Sequence, residues 1–170
     1  MMILAYTCTT SPLGEIEIAC SDSALIALEF ADADDRFQRS LQRRFGEVSL
    51  TKSRDPLGVK SRLEAYFAGD ITGVDTIVVD GGGSPFQRSV WKAISTVAFG
   101  ETITYAELAE RAGHAGSARA AGGATGRNPI GIIVPCHRIM GSNGDLTGYA
   151  GGLDRKRALL ELEAGDAGPP

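Results

Sequence analysis

The chain has 170 residues, of which 43% are hydrophobic and 22% are charged, so it is long enough for one medium domain or two small ones. These fractions are ordinary for a globular protein, and the lack of any run of about 18 apolar residues excludes a transmembrane helix. The N-terminus has no basic segment followed by an apolar run, so we expect a cytoplasmic protein without a signal peptide.

The net charge of −4 is divided unevenly along the chain. Residues 1–83 carry 8 Lys or Arg and 13 Asp or Glu, whereas residues 84–165 carry 9 and 7. The overall sign argues against a nucleic-acid partner, but the more basic second half leaves room for local, moderately salt-sensitive DNA binding.

The three cysteines, Cys8, Cys20 and Cys136, show no close spacing. In a reducing compartment they are better interpreted as free thiols than as a disulfide framework. Both histidines, His114 and His137, lie far along the chain from Cys8 and Cys20. We therefore expect no zinc site, no other metal and no cofactor.

The first half predicts a small α/β domain. Period-two alternation predicts strands over residues 4–8, 16–18 and 24–30, with a turn at 11–14. Amphipathic patterns predict helices over residues 34–45 and 56–67, and residues 77–79 are expected to close the sheet. The glycine-rich stretch 80–85 predicts a boundary between an N-terminal domain, 1–83, and a second domain, 84–170.

The second half is predicted to be mainly helical. Helices are expected over residues 86–97, 105–112 and 117–125, and from an N-cap at Asp154 to residue 164. Thr104 and Glu107 have the spacing of a capping box, and residues 113–116 form a turn. The two helices around this turn match the helix-turn-helix pattern, although helical hairpins of this size are common outside DNA-binding proteins.

The helix predicted over residues 117–125 has almost no side-chain bulk, because Ala and Gly fill most of it. Close helix packing inside the domain is one interpretation. The other is that a thin helix allows the backbone and one long side chain, Arg119, to approach a narrow DNA groove.

Cys136 follows a predicted apolar strand over residues 130–134 and precedes His137 and Arg138. This neighbourhood can lower a thiol pKa, and the thiolate is the nucleophile. Glu163 follows Leu159 by four residues and so lies on the inward face of the last helix, whereas Glu161 lies outward. A buried carboxylate needs a partner, and His137 is available. Such a Cys–His–Glu set suits a cysteine hydrolase as well as an alkyl acceptor.

Four motifs resemble the O6-alkylguanine-DNA alkyltransferases, or methylated-DNA–protein-cysteine methyltransferases. They are Asn128-Pro129, residues 133–139 around Pro135-Cys136-His137-Arg138, residues 148–152 and residues 159–163. The resemblance implies an α+β protein with a ribonuclease-H-like N-terminal domain. It also implies a winged-helix-like C-terminal domain that holds the helix-turn-helix.

The resemblance also implies a mechanism. Cys136 would take the alkyl group from O6 of guanine, once per molecule. His137 would remove the thiol proton through a water, and Glu163 would orient His137. Asn128 would organise the turn that carries the cysteine. The damaged nucleotide would have to leave the base stack, because O6 of a paired guanine is out of reach.

The remaining site residues are implied by the same resemblance. Arg119 would replace the extruded nucleotide and Tyr105 would rotate its phosphate, while Thr104 and Arg138 would also face DNA. The flipped base would meet Tyr149, Ala150, Gly151 and Val134. Position 150 is Ala where some relatives have a hydroxyl residue. The expected partner is duplex DNA containing alkylated guanine, possibly with O4-alkylthymine as a second substrate, and the expected state is a monomer.

Two alternatives to alkyl transfer belong to other classes. A non-catalytic protein of the same fold could bind the lesion and flag it, but the presence of Cys136 speaks against this. A transcriptional regulator could use the same helix-turn-helix, but no further DNA-binding segment supports that function.

Overall fold

The computed structural model describes residues 1–165, and the last five residues of the predicted second domain, 166–170, lie outside the described part. The described residues form two compact units. The first contains residues 1–82 and 129–133, and the second contains residues 83–128 and 134–165. None of the helices in residues 1–165 is long and apolar enough to cross a membrane.

The first unit is built on a four-stranded sheet. Its strands are β1 (Met2–Ser11), β2 (Gly14–Cys20), β3 (Leu25–Phe30) and β4 (Val48–Lys52), and their order across the sheet is β3-β2-β1-β4. β1, β2 and β3 pair antiparallel, and β4 pairs parallel to β1. Between β1 and β2, the Ser11 hydroxyl donates to the Gly14 carbonyl at 2.6 Å and closes the predicted turn.

Helices cover both faces of this sheet. On one face, Phe37 and Leu41 of α1 (Arg36–Phe45) pack against Leu4 and Ala19. Cys20, the neighbour of Ala19, points to the other face, where its thiol contacts the Pro56 carbonyl at 3.7 Å. A 3-10 turn, Pro56–Gly58, leads there into α2 (Val59–Phe67), which packs against β1. All six residues of β3 are buried, and α1 packs against this strand.

One predicted strand of this sheet is wrong, and one strand was missed. Residues 77–79 do not form a strand: Val79 makes one isolated bridge to Leu25, and Val78 is 65% exposed. The fourth strand is β4 instead, which sequence analysis did not identify. Its residues are only partly buried or exposed, so they lack the strong alternation of a half-buried strand.

The second unit contains four helices in its described residues. They are α3 (Pro85–Ile94), α4 (Tyr105–Arg111), α5 (Ala118–Gly126) and α6 (Leu153–Ala164). A two-stranded sheet pairs β5 (Ile103–Thr104) with β6 (Ile139–Met140) in parallel. Thr104 and Glu107 form the predicted capping box at the start of α4. Asp154 is not the N-cap of α6, because the helix already begins at Leu153 after Gly152, whose φ of 96° suits glycine.

The apolar stretch 130–134 is not a strand either. Leu28 of β3 donates to the Pro129 carbonyl at 3.0 Å and accepts from the Gly131 amide at 2.9 Å, which leaves a single bridge at Ile130. The chain then turns sharply, with Ile132 at a φ of 68°, a conformation that β-branched residues rarely adopt. An unbroken apolar run predicts that a segment is buried, but without a periodic pattern it does not predict the backbone conformation.

Candidate active site

Cys136 lies at the start of a one-turn 3-10 helix, Cys136–Arg138, and is partly buried. The turn before it is held by two hydrogen bonds to one carbonyl. The Val134 oxygen accepts from the Cys136 amide at 2.8 Å and from Nδ2 of Asn128 at 2.9 Å. Asn128 is buried, so its side-chain amide fixes the backbone from which Cys136 projects. The Val134 side chain is buried as well, and only its backbone carbonyl takes part in this arrangement.

His137, the residue after Cys136, forms a buried pair with Glu163. Nε2 of His137 lies 2.7 Å from Oε1 of Glu163, and neither side chain has more than 1% of its surface exposed. The pair is possible because α6 presents Glu163 inward while Glu161, two residues earlier, is exposed. The inward placement predicted for Glu163 matches the structure.

The pair leaves His137 able to accept a proton. Burial lowers the pKa of His137, and the charges of Arg138 and Lys156 add to this effect against the hydrogen bond and charge of Glu163, so the ring is neutral near pH 7. With Nε2 protonated toward the carboxylate, Nδ1 carries the free lone pair. Within residues 1–165, Nδ1 of His137 is the one buried side-chain nitrogen or oxygen without a hydrogen-bond partner.

Arg138 holds Glu163 from its other side. Its Nε donates to Oε2 at 2.8 Å and its Nη2 donates to Oε1 at 2.9 Å, while Nη1 donates to the Val97 carbonyl at 2.6 Å. Burial alone would raise the pKa of Glu163, but the hydrogen bonds from His137 and Arg138 outweigh it and lower the pKa to about 2. The carboxylate therefore stays charged and orients His137 without taking its proton.

These contacts correct one predicted role. Arg138 was expected to face DNA, but the residue is only 4% exposed and its guanidinium also stacks 4.3 Å above the ring of Phe99. A side chain enclosed in this way cannot reach a phosphate. Arg138 is instead a positioning residue for Glu163.

Lys156 is a second buried cation, and sequence analysis missed it. It is completely buried on α6, and its Nζ donates to the carbonyls of Ile139 at 2.6 Å, Thr147 at 2.8 Å and Gly148 at 3.4 Å. Burial lowers the pKa of Lys156, and the negative charge of a Cys136 thiolate would oppose this. The lysine thus ties the loop before Tyr149 to β6.

The tyrosines predicted for the site come close to it. The ring of Tyr149 meets the ring of His137 edge-on at a centroid distance of 6.5 Å. Tyr105, at the start of α4, hydrogen-bonds Thr147, and burial together with the neighbouring Cys136 raises its pKa. Ala150 is exposed and Gly151 partly exposed on the loop that follows Tyr149. One unit therefore gathers the cysteine, the His–Glu pair and both tyrosines.

The exposed face of α5 is smooth. Ala121, Ala124 and Thr125 face inward, and Ala124 accepts from the indole of Trp91 at 2.8 Å. Outward lie Arg119, Ala120, Gly123 and Gly126, and a Cβ atom built on either glycine would meet nothing within 4 Å. Close packing thus accounts for the inner alanines but not for the outer glycines. Thr104 lies next to α4 with its hydroxyl engaged as the cap of that helix.

The other two cysteines differ from Cys136 in their surroundings. Burial raises the pKa of Cys20 to about 11, and burial with Glu15 raises the pKa of Cys8. Both lie in the first unit, on β1 and β2, and a thiol with a raised pKa is a weak nucleophile at neutral pH.

Family models match both halves of the chain. Residues 4–78 match the ribonuclease-like domain of 6-O-methylguanine DNA methyltransferase, and residues 85–165 match its DNA-binding domain. The chain belongs to the 6-O-methylguanine DNA methyltransferase family. This confirms the resemblance inferred from the motifs, and the two matched domains agree with the predicted α+β class.

Individual relatives of this methyltransferase family extend over nearly the whole chain. A methylated-DNA–protein-cysteine methyltransferase of Mycolicibacterium paratuberculosis is 45% identical over 161 residues, which are 95% of this chain and 93% of that protein. A protein of the same name from Shigella flexneri is 41% identical over 90% of this chain and 91% of its own length. The crystal structure of Mycobacterium tuberculosis OGT in complex with DNA superposes with a TM-score of 0.82, at 41% identity and with 96% and 95% coverage.

Most residues predicted for the methyltransferase site come together in the second unit. Cys136, His137, Glu163 and Asn128 are connected by the contacts described above, and Tyr105 and Tyr149 lie beside them. Lys156 was missed although it precedes Leu159 by three residues, the same helical face that identified Glu163. Helical spacing was the signal that could have found it.

Proposed function

We propose that this chain repairs DNA by transferring the alkyl group from O6 of a damaged guanine to the sulfur of Cys136. The observation that carries this assignment is the buried His137–Glu163 pair, in which His137 is the residue after the partly buried Cys136. The pair and the cysteine lie in the same unit as the two helices of the helix-turn-helix, α4 and α5. The reaction requires an acceptor thiol, a base to deprotonate it and a DNA-binding element.

The reaction is a single displacement. His137 takes the thiol proton at Nδ1, through one water, because Nε2 is engaged by Glu163. The Cys136 thiolate attacks the alkyl carbon, a carbon–sulfur bond forms, and the bond from that carbon to O6 breaks. Guanine leaves with the electron pair and regains a proton. Glu163, held as a carboxylate by Arg138, stabilises the imidazolium that forms on His137.

The product explains why each molecule acts once. A thioether is stable in water, and no group of the described site is placed to hydrolyse it. The protein is therefore consumed as a stoichiometric reagent, and no metal or cofactor enters the proposed step.

The DNA-facing roles follow from the same proposal. α5 enters the groove with its smooth face, Arg119 fills the space of the extruded nucleotide, and Tyr105 with Thr104 contacts the backbone beside it. The flipped base then lies against Tyr149, Ala150 and Gly151, with the Val134 carbonyl at its edge. Exposure of Arg119 and the open space around Gly123 and Gly126 support this arrangement.

The first unit is proposed to be a scaffold domain, since its sheet and helices contain none of the reacting groups. We also propose the cytoplasm as the site of action. Cys8, Cys20 and Cys136 form no disulfide among the described residues, which suits a reducing compartment.

Intact-mass spectrometry tests the reaction. After incubation with a duplex containing O6-methylguanine, the chain should gain the mass of one methyl group, and Cys136→Ser should gain none. Tight lesion binding without any mass gain in the unmodified chain would favour the non-catalytic lesion-binding alternative.

The role of Arg119 has a separate test. Arg119→Ala should slow transfer from duplex DNA while leaving transfer from free O6-benzylguanine close to that of the unmodified chain. An equal loss on both substrates would contradict a role in extrusion, because the free base needs none.

A further inference from the structure

The C-terminal end of α5 carries a second guanidinium, Arg127, that the mechanism does not use. Arg127 is exposed, its backbone amide caps the helix by donating to Ala124, and within residues 1–165 its side chain has no hydrogen-bond or ion-pair partner. An uncommitted arginine at the end of a helix that approaches DNA is a candidate phosphate ligand.

The other basic residues of this unit are mostly committed elsewhere. Arg138 and Lys156 are buried. Arg111 pairs with Glu101 at 2.7 Å, and the guanidinium of Arg88 donates to the Gly83 carbonyl. Arg155 and Arg157 likewise have contacts within α6 or just before it. In the described part of the unit this leaves three residues with unengaged cationic groups: Lys92 on α3, Arg119 on α5 and Arg127 at the C-cap of α5.

The spacing along α5 suits two points of contact with one duplex. Arg119 is the second residue of α5 and Arg127 is the C-cap that follows its last residue, so the two are eight residues and about 12 Å apart along the helix axis. Both are exposed, as are Ala120, Gly123 and Gly126 between them. A distance of about 12 Å along the duplex corresponds to three or four phosphates of one strand.

The surface between the two arginines points to the same ligand. A Cβ at Gly123 or Gly126 would meet nothing within 4 Å, so packing within the chain does not require glycine there. Gly123 lies inside the helix, where glycine is destabilising relative to alanine. Because no contact within the chain explains this loss of helix stability, we infer that a surface outside the chain approaches the helix closely there. The groove walls of DNA are such a surface.

We propose that Arg127 binds a backbone phosphate of the duplex, a few nucleotides from the base that Arg119 replaces. Arg119 and Arg127 would then fix α5 at both ends of its smooth face. Arg127 also precedes Asn128, whose amide holds the Val134 carbonyl of the cysteine turn. The phosphate contact is thereby adjacent in sequence to the residue that positions Cys136. This inference rests on the proposed placement of α5 in the groove.

The salt dependence of binding to an undamaged duplex tests the contact. Each phosphate contact contributes about −0.9 to the slope of log K against log salt concentration. Arg127→Gln in the full chain should reduce the magnitude of that slope by about 0.9, so between 50 and 200 mM salt it should lose about 3.5-fold less affinity than the unmodified chain. Transfer from free O6-benzylguanine should be unchanged.

Lys92→Gln is the matched control, because it removes one exposed, unpaired charge from α3 in the same unit. Its slope should stay near that of the unmodified chain. An unchanged slope for Arg127→Gln, equal reductions in both variants, or loss of free-base transfer would each overturn the proposal. If Arg119→Ala also leaves duplex transfer intact, the placement of α5 itself fails. If only Arg127→Gln is silent, the phosphate contact alone fails.

Discussion

Replacing Glu163 with glutamine tests how the buried pair supports transfer. The substitution conserves shape but removes the charge that His137 and Arg138 share, at distances of 2.7 to 2.9 Å. A glutamine oxygen can accept from one of these partners, and its amide group then opposes a second donor. The variant should therefore lose both stability and rate.

The magnitudes follow from burial. Removing one partner of a buried ion pair costs about 3–5 kcal/mol, because Arg138 is left charged with 5% of its side chain exposed. For the rate, a hydrogen bond to a charged group contributes about 1.5–3 kcal/mol, which corresponds to a loss of about 10- to 150-fold in transfer. Part of that loss arises because the imidazolium on His137 would no longer face a carboxylate.

Single-turnover transfer from O6-methylguanine duplex, well below the melting temperature of the variant, separates the two effects. Glu161→Gln is the matched control two residues away, and its exposed side chain should make both changes small, within about 0.5 kcal/mol. Equal losses of stability and rate in the two variants would refute the assignment of Glu163 to the inward face of α6 and Glu161 to the outward face. Transfer at the unmodified rate in Glu163→Gln would refute the role of the carboxylate.

Three further predictions concern the buried charges. Arg138→Met should lower the melting temperature but leave the salt slope of DNA binding unchanged, and a smaller slope would restore Arg138 as a DNA contact. Lys156→Met should slow transfer from DNA and from free base alike, because the three carbonyls that accept from Nζ lose their donor, each loss worth roughly 1–3 kcal/mol; unaltered transfer on both would show that the loop before Tyr149 needs no anchor. Stability should fall in acid, because the hydrogen bonds from His137 and Arg138 lower the pKa of Glu163 from its ordinary 4.5 to about 2, and this stabilisation of about 3 kcal/mol is present above pH 4.5 and lost as the pH falls toward 2. The lowered pKa of His137 also reduces stability as the pH falls below about 6.5, because the unfolded chain then binds a proton that the folded chain does not. Urea unfolding at several pH values should show stability begin to fall near pH 6.5, and a constant free energy of unfolding down to pH 4 would contradict the His137 contribution.

Residue spacing along a helix was enough to predict those features of the site that arise within a single helix. The capping box of Thr104 and Glu107 and the inward position of Glu163 both follow from spacing within one helix. The same spacing places Lys156 inward, but a lysine is normally read as solvent-exposed, and only the three carbonyls around its Nζ make burial possible. Those carbonyls come from other segments, so no local pattern reveals them.

Non-local pairing accounts for the errors. Arg138 follows Cys136 by two residues, and an exposed arginine there would suit DNA, but its ion pair with Glu163 of α6 holds it in the interior. The segment 130–134 is apolar enough for a strand, yet it makes only one bridge with Leu28 before turning. β4 was overlooked because its partner, β1, lies more than 40 residues earlier and its own residues are weakly buried.

The alkyl-acceptor role of Cys136 is tested most directly by peptide mapping after exposure of the full chain to excess O6-methylguanine duplex. We predict one methyl group per molecule, on Cys136, with none on Cys8 or Cys20 and one repaired guanine per protein. Methyl on either of the other cysteines, or release of more than one repaired guanine per molecule, would contradict a single transfer to Cys136.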